Sequence, residues 1–521
     1  MKLWKPLLAL VGVVAAAMPA TAQNRPDIVI AVPGIYRTME PIEGNSTNGS
    51  RIMPNIFDQI VTRNFAEDPE GSELRPSLAT KWEQINDLTW RFTIREGVKF
   101  HNGSTMMAED VAFSIGAKRV WGEDSLVPIG KRYTNSFASV EALDATTVEI
   151  KTDANDPNLP FRFVTPLGYI VPKDYYLEVG VEAFGQNPIG TGPYMVADYD
   201  ATGFIKLKAF DDYWGGKPPL KSVEFRAVSE YSARIAGVVS GDFQMMTGIP
   251  VDEVKTVQGY DNLNYLSKPI GNYVMVAYNT LELPNFPANP VANVKLRYAM
   301  TAAIDREALT KALWGDETFA PAPFNFPDFP DYYDAKISSK ISYDPAAAKA
   351  YLEESGYDGT EFLVNITRGA FPNFDLAMEF IVEQWNTMGI NAKLNVVDSW
   401  AQALQHPFGL LNMSMTTTFD GTPTRAIWGF WGPDSARTTR EKDRSWSPPA
   451  EFVTIGKKYL IEIDTAKKAE LFRQMVDIWE TEQPALILWR SVANWAVSDT
   501  LEWKPIASPW MLLGPGYASV K

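Results

Sequence analysis

Arg425, Trp428, Phe430, Trp431 and Asp434 crowd a Gly-, Pro- and Thr-rich stretch, TTTFDGTPTRAIWGFWGPDS. Aromatic faces beside a guanidinium and a carboxylate suit a small solute with both apolar and charged parts. The competing reading is packing, because most of the 16 Trp, 21 Tyr and 27 Phe must be core. Arg425 and Arg368 are candidate carboxylate clamps, since a guanidinium can bind a carboxylate through two parallel hydrogen bonds. A surface salt bridge is the alternative for each. Catalytic patterns are scarce. The chain has no cysteine and only two histidines, His101 and His406, neither in a metal-ligand spacing. There is no G-x-S-x-G elbow and no Walker A loop. His101 reads as a hydrogen-bonded structural residue of an F-H-x-G turn. The 63 Asp and Glu residues leave a secreted carboxylate-pair hydrolase as a second function class. A protein-binding module with an exposed apolar patch is a third. No catalytic residue, metal or cofactor is expected, and the chain is read as not being an enzyme.

The elements that must position these residues alternate between strand and helix. Residues Leu74 to Ile115 form a strand-turn-helix unit. Trp90, Phe92 and Ile94 alternate with polar neighbours as in a half-buried strand. Asn102-Gly103 supplies a turn. Ser104 or Thr105 is expected to cap a helix whose buried stripe is Ala108, Val111, Ala112 and Ile115. Asn272 to Asn279 is rich in strand formers. Leu296, Ala299, Met300 and Ala303 have helical spacing, and Asp305 can cap the helix that follows. Asp344, Pro345 and Gly356 punctuate another helix as N-cap, N1 and C′. Met378, Ile381, Trp385 and Met388 form a helical stripe, after which Ile390, Ala392, Leu394 and Val396 alternate as a strand. Pro484 to Trp489 reads as a buried strand. This succession predicts an α/β protein with a partly parallel sheet.

The amino terminus, with Lys2, Lys5, a short apolar run and Ala20-Thr21-Ala22, has the form of a secretory signal peptide cleaved after Ala22. No cysteine follows that site to carry a lipid, which favours the periplasm. The 521 residues carry a formal net charge of −15, without a dense Lys/Arg run, so no nucleic-acid partner is expected. No second apolar run is long enough to span a membrane.

The Leu74–Ile115 unit also resembles the signature region of the family 5 solute-binding proteins, the extracytoplasmic receptors of ABC importers. The matching residues are Pro76, Leu78, Ala79 and Trp82, then Gly97, Val98, Phe100, His101 and Gly103, then Asp110, Val111, Phe113 and Ser114. Further matches are the G-T-G-P-Y element at Gly190–Tyr194 and the helix element around Leu296, Arg297, Ala299, Ala303, Ile304, Asp305 and Arg306. The resemblance implies a two-lobed periplasmic-binding-protein fold, class II-like and of the large form with an extra subdomain, whose lobes are joined by two crossover strands. After the signal peptide over 1–22, it implies lobe I over 23–272 plus 490–521, with an inserted subdomain at roughly 66–186. Lobe II would then span 273–489. The implied function is capture of a peptide or peptide-like solute, such as an opine or amino-acid conjugate, by hinged closure of the lobes. Delivery to the transmembrane permease subunits of an ABC transporter follows, with the receptor itself a monomer. An oligosaccharide-binding receptor of the same family is the alternative. Asp420 matches the aspartate that pairs with a peptide's ammonium group, but Thr417 stands where the family has tryptophan, a departure from ordinary peptide binding. Trp400 matches a cleft-facing tryptophan, and Tyr36 lies in a loop that borders the cleft, just before Glu40-Pro41.

Overall fold

The structure, a computed structural model, describes residues 25–44, 46–65, 67–68, 71–282, 289–368, 371–398, 400–403, 410–416, 422–439 and 445–521. The expected signal peptide, His406, Thr417 and Asp420 lie outside these residues.

Its spine is a mixed sheet with ten strands among the described residues. In one half, Asp27–Val32 pairs in parallel with Ser222–Ala227 and with Met245–Thr247. Phe204–Ala209 and Tyr194–Asp200 extend this half antiparallel to its edge. In the other half, Phe362–Thr367 lies parallel to both Ala392–Val397 and Leu410–Thr416. Two long antiparallel strands, Leu263–Ala277 and Ala485–Ser498, join the halves. The first also pairs with Leu410–Thr416 and the second with Met245–Thr247. This is the expected two-lobed α/β architecture with two crossover strands. Both crossovers are longer than Asn272–Asn279 and Pro484–Trp489 suggest. Lys268 and Pro269 interrupt the apolar pattern of the first, and proline ordinarily argues against a central strand. The ladder accommodates it through a shift of register between Pro269 and Tyr273.

A separate four-stranded antiparallel sheet comprises Ala79–Asn86, Thr89–Ile94, Thr147–Thr152 and Phe137–Ala142. Trp90, Phe92 and Ile94 are buried while Arg91 and Thr93 are exposed, as period-two alternation requires. The helix that follows begins later than expected, at Ala108. Ser104 is held in the turn by Asn102 Oδ1, and Thr105 bridges back to Lys99. The backbone N–H of Met107 instead donates to the Asp110 carboxylate, so the cap comes from inside the first turn. Phe113 and Ser114 join the buried face, and Ala112 is only half-buried.

One large core draws on both ends of the chain, from Ile28 to Phe225 and from Trp495 to Ala518. Two others draw on residues between Tyr273 and Val492. In that region Asp344 accepts from the N–H groups of Ala346 and Ala347, and Gly356 ends the helix at φ 64°. Asp305 likewise accepts from Ala308 N–H.

His101 ties the signature unit to the G-T-G-P-Y turn. Its Nδ1 accepts from Gly190 N–H at 3.2 Å, which leaves Nε2 to donate to the Gly192 carbonyl at 3.0 Å. The ring is therefore neutral, and burial pushes its pKa down from 6.5 to about 4. A base depressed on folding contributes stability that is present above its unfolded pKa and is lost as pH falls from 6.5 through about 4. At about 1.4 kcal/mol per pH unit, His101 then accounts for ~3 kcal/mol of acid sensitivity. Asp58 acts in the opposite sense. Burial raises its carboxyl to about 6, against hydrogen bonds from Trp214, Tyr213 and Thr191. His101→Asn, which leaves Asp58 unchanged, should lose less stability than the parent between pH 6.5 and 4. Thermal midpoints measured across that range check this, and equal losses in the two proteins would refute it.

Candidate functional site

A cavity of about 550 Å³ opens between the segment from Arg132 to Thr165 and the segments Thr422–Gly429 and Lys457–Ile461. The first wall belongs to the large core that holds both chain ends, since Tyr133, Phe137 and Phe163 are part of it. The second belongs to the core built around Trp431 and Phe452. The cavity therefore lies between two separate hydrophobic cores, in the size range of sites for small solutes.

On the first wall, Asp156 organises the polar groups. Its carboxylate accepts from Ser136 Oγ at 2.7 Å and from Arg162 Nε at 2.8 Å, and its carbonyl accepts from Trp90 Nε1. Arg162 also donates to the Tyr133 carbonyl and to Asn135 Oδ1, which fixes the loop that carries Tyr133. The half-buried Phe161 adds an apolar face. Neighbouring hydrogen bonds thus surround the ion pair and fix the orientation of its two side chains.

On the second wall, Arg425–Gly429 forms a π-helical turn. Trp428 lines the cavity and lies nearly parallel to Phe452, at 6.2 Å between ring centres and 12° between planes. The Arg425 guanidinium reaches across, with its carbon 5.9 Å from the ring centre of Tyr133 and 5.9 Å from that of Phe430. Its buried Nε has no hydrogen-bond partner among the described residues. Asn155 Nδ2 donates to the Ile461 carbonyl at 3.4 Å, a second link between the walls.

Lys468 makes a third link. It is buried, lies over the Tyr459 ring and donates to Asn158 Oδ1 at 3.1 Å. Burial pushes its pKa down from 10.5 to about 8, although the charges of Asp156 and Glu462 oppose that. The depressed base contributes stability that is present above pH 10.5 and is lost as pH falls through about 8. At neutral pH the ammonium is thus a net cost, and Lys468→Met should stabilise the protein by about 1–2 kcal/mol. Its advantage should shrink toward pH 10, where the parent lysine is largely neutral. Thermal unfolding at pH 7 and pH 10 tests both statements; a lower midpoint for the variant at pH 7 would contradict them.

The sequence candidates are dispersed. Arg425 and Trp428 meet on the cavity wall. Trp431 does not: it is fully buried, with its ring 5.4 Å from that of Trp479 and 5.9 Å from that of Trp446, so it packs the lobe core. Helical geometry explains the split, since residues three apart share a face along an α-helix, whereas the wider π-helical turn here rotates them apart. Arg368 sits on the surface, 3.7 Å from Asp398, with both side chains mostly exposed. Tyr36 packs against the first core, and its carbonyl accepts from the Tyr199 hydroxyl. Trp400 opens the short helix Trp400–Ala403, its side chain being outside those described. Tyr133, Asn155, Asp156, Asn158 and Lys468 escape sequence reasoning. They sit in ordinary-looking polar loops or on a helix, and no spacing connects them to Arg425. Among the described residues no group of three or more His, Cys, Asp or Glu side chains is placed to hold a metal ion. No helix among them is long and apolar enough to cross a membrane.

The family model "Bacterial extracellular solute-binding proteins, family 5 Middle" matches residues 73–437. The chain is 29% identical over 414 residues to the glutathione-binding protein GsiB of Salmonella paratyphi A, covering 77% of this chain and 75% of that protein. Among solved structures, the ABC transporter substrate-binding protein CtaP of Listeria monocytogenes superposes with a TM-score of 0.82 at 19% identity, over 95% of this chain and 99% of that one. The periplasmic binding protein DppA of Helicobacter pylori, solved with the peptide STSA, gives 0.78 at 20% identity, over 95% and 98%. The match to the family model spans well over half of the residues, from the signature unit to the cavity wall at Trp428. The chain belongs to the bacterial extracellular solute-binding proteins of family 5.

Proposed function

We propose that this protein is the periplasmic receptor of an ABC importer and that it captures a peptide or peptide-like solute between its lobes. The observation that carries this reading is the cavity whose two walls come from separate lobes and are bridged by Arg425 over Tyr133 and by Lys468 on Asn158. Ligand contacts on both walls favour the closed arrangement, and a receptor needs only that the solute binds the closed form better than the open one. The lobe boundaries near residues 272 and 489, and the inserted subdomain at roughly 66–186, belong to the same reading. Arg425 and Trp428 are its assigned contacts, and Asp420 is its candidate amine anchor. The glutathione-binding relative favours short peptides and conjugates over oligosaccharides.

The test is mass spectrometry of the solute that co-purifies with the secreted protein, followed by thermal shift with that solute. A receptor gains stability by an amount set by the ratio of ligand concentration to dissociation constant. It also returns the solute unchanged. Turnover of the solute in the same tube would establish the hydrolase instead.

A further inference from the structure

The cavity between the lobes has a charge of the wrong sign for its chain. The protein carries a formal net charge of −15. Yet among the described residues the charged side chains that line this cavity are Arg132, Arg162, Arg425 and Lys457 against Asp153 and Asp156. Arg162 and Asp156 neutralise each other at 2.8 Å. That leaves three cations facing one exposed carboxylate, and none of Arg132, Arg425 and Lys457 makes an ion pair with a described residue. Arg425 is placed best to use its charge. Its stem is fixed in the turn, aromatic rings flank its guanidinium, and its buried Nε has no partner. A buried donor without an acceptor costs free energy that an arriving acceptor recovers. A guanidinium pre-set in an apolar frame binds a carboxylate by donating two parallel hydrogen bonds to it. Trp428 and Phe161 border the same space with apolar surface.

We propose, as a refinement that rests on the receptor reading, that the solute is a carboxylic acid, ionised at neutral pH. It carries a carboxylate that pairs with Arg425, and an apolar portion that lies against Trp428 and Phe161. Arg132 and Lys457, both exposed at the rim, draw the carboxylate toward the cavity against the negative field of the remaining surface.

The experiment uses two matched pairs of probes on the mature protein, read by calorimetry. One pair is Ala-Phe-Ala as the free acid and as its carboxyl-terminal amide. The other is 3-phenylpropionate and 3-phenylpropionamide. The acid should bind at least tenfold more tightly than the amide in each pair. Arg425→Gln should bring the ratio close to one while leaving the thermal midpoint of the unliganded protein within a few degrees, and Arg425→Lys should keep part of the preference. Equal binding of acid and amide, full preference in the Gln variant, or no binding by any probe overturns the proposal. The two readings fail separately. Tripeptide acid and amide that bind alike would leave a peptide receptor without an anion site. An Arg425-dependent preference for phenylpropionate, with neither tripeptide bound, would keep the anion site and remove the peptide reading.

Discussion

Glu40→Ala should cost about 3–5 kcal/mol of folding stability, because it strands a buried guanidinium. Glu40 and Arg119 are both fully inaccessible to solvent and form an ion pair inside the core that holds the chain ends. The remaining acceptor sites of the carboxylate are filled: Tyr176 OH donates to one oxygen at 3.2 Å, and the N–H groups of Ile42 and Glu43 donate to the other at 2.8 and 2.7 Å. Arg119 in turn donates to the Ser114 carbonyl at 2.6 Å and lies over the Tyr176 ring. Removing the carboxylate leaves a charge with no counter-ion and two backbone donors with no acceptor. Replacing both partners with apolar residues, as in Glu40→Leu with Arg119→Met, should restore a large part of the loss, since the desolvation cost then falls away for both ions. Urea unfolding of the single and double variants measures this. A single variant within about 1 kcal/mol of the parent, or a double variant no better than the single, would show that the pair does not carry this share of the stability.

The same residue shows how far the sequence could be read. Glu40-Pro41 is recognisable as a family element, and its neighbour Tyr36 is a reasonable cleft candidate on that ground. What no local pattern reveals is that Glu40 turns inward to Arg119, or that Tyr36 packs on the same core. Strands, helix caps and glycine stops were legible because they are set by neighbours a few positions away: Trp90–Ile94, Asp344–Gly356 and Asp305 all behave as their spacing predicts. The cavity was legible only by half. Arg425 and Trp428 stand out by composition, whereas Tyr133 and Asn158 have neither rarity nor period to mark them. They become partners of the second wall only when two lobes, folded from distant segments, face each other. Trp431 illustrates the converse: residue type suggested a binding surface, and packing against Trp446 and Trp479 uses that surface for the core.

Arg490→Ala should be comparably costly, about 3–5 kcal/mol, and for a reason that bears on lobe movement. Arg490 lies on the second crossover strand, where the register of the first shifts between Pro269 and Tyr273. A bulge leaves backbone groups outside the ladder, and an unmet buried carbonyl is as serious as an unmet side chain. Arg490 Nε meets the Ile270 carbonyl at 3.0 Å, while its Nη2 pairs at 2.8 Å with Asp328, a fully buried carboxylate of the second lobe. Its own backbone N–H and carbonyl bond to Phe319 and Thr318. One side chain thus joins both crossover strands to the lobe that they carry. Alanine would remove the donor to the bulge carbonyl and the Arg490 partner of Asp328 together, so amide exchange should accelerate locally across 268–273 as well as globally. Pairing Arg490→Met with Asp328→Leu should recover stability, because neither charge of this buried pair then has to be desolvated. It should not restore slow exchange at the bulge, because nothing then donates to Ile270. That split separates the two jobs of the arginine: the ion pair sets how stable the second lobe is, and the donation to Ile270 sets how freely the crossover bends. A double variant that recovers both, or neither, would mean that the bulge and the ion pair are not distinct contributions.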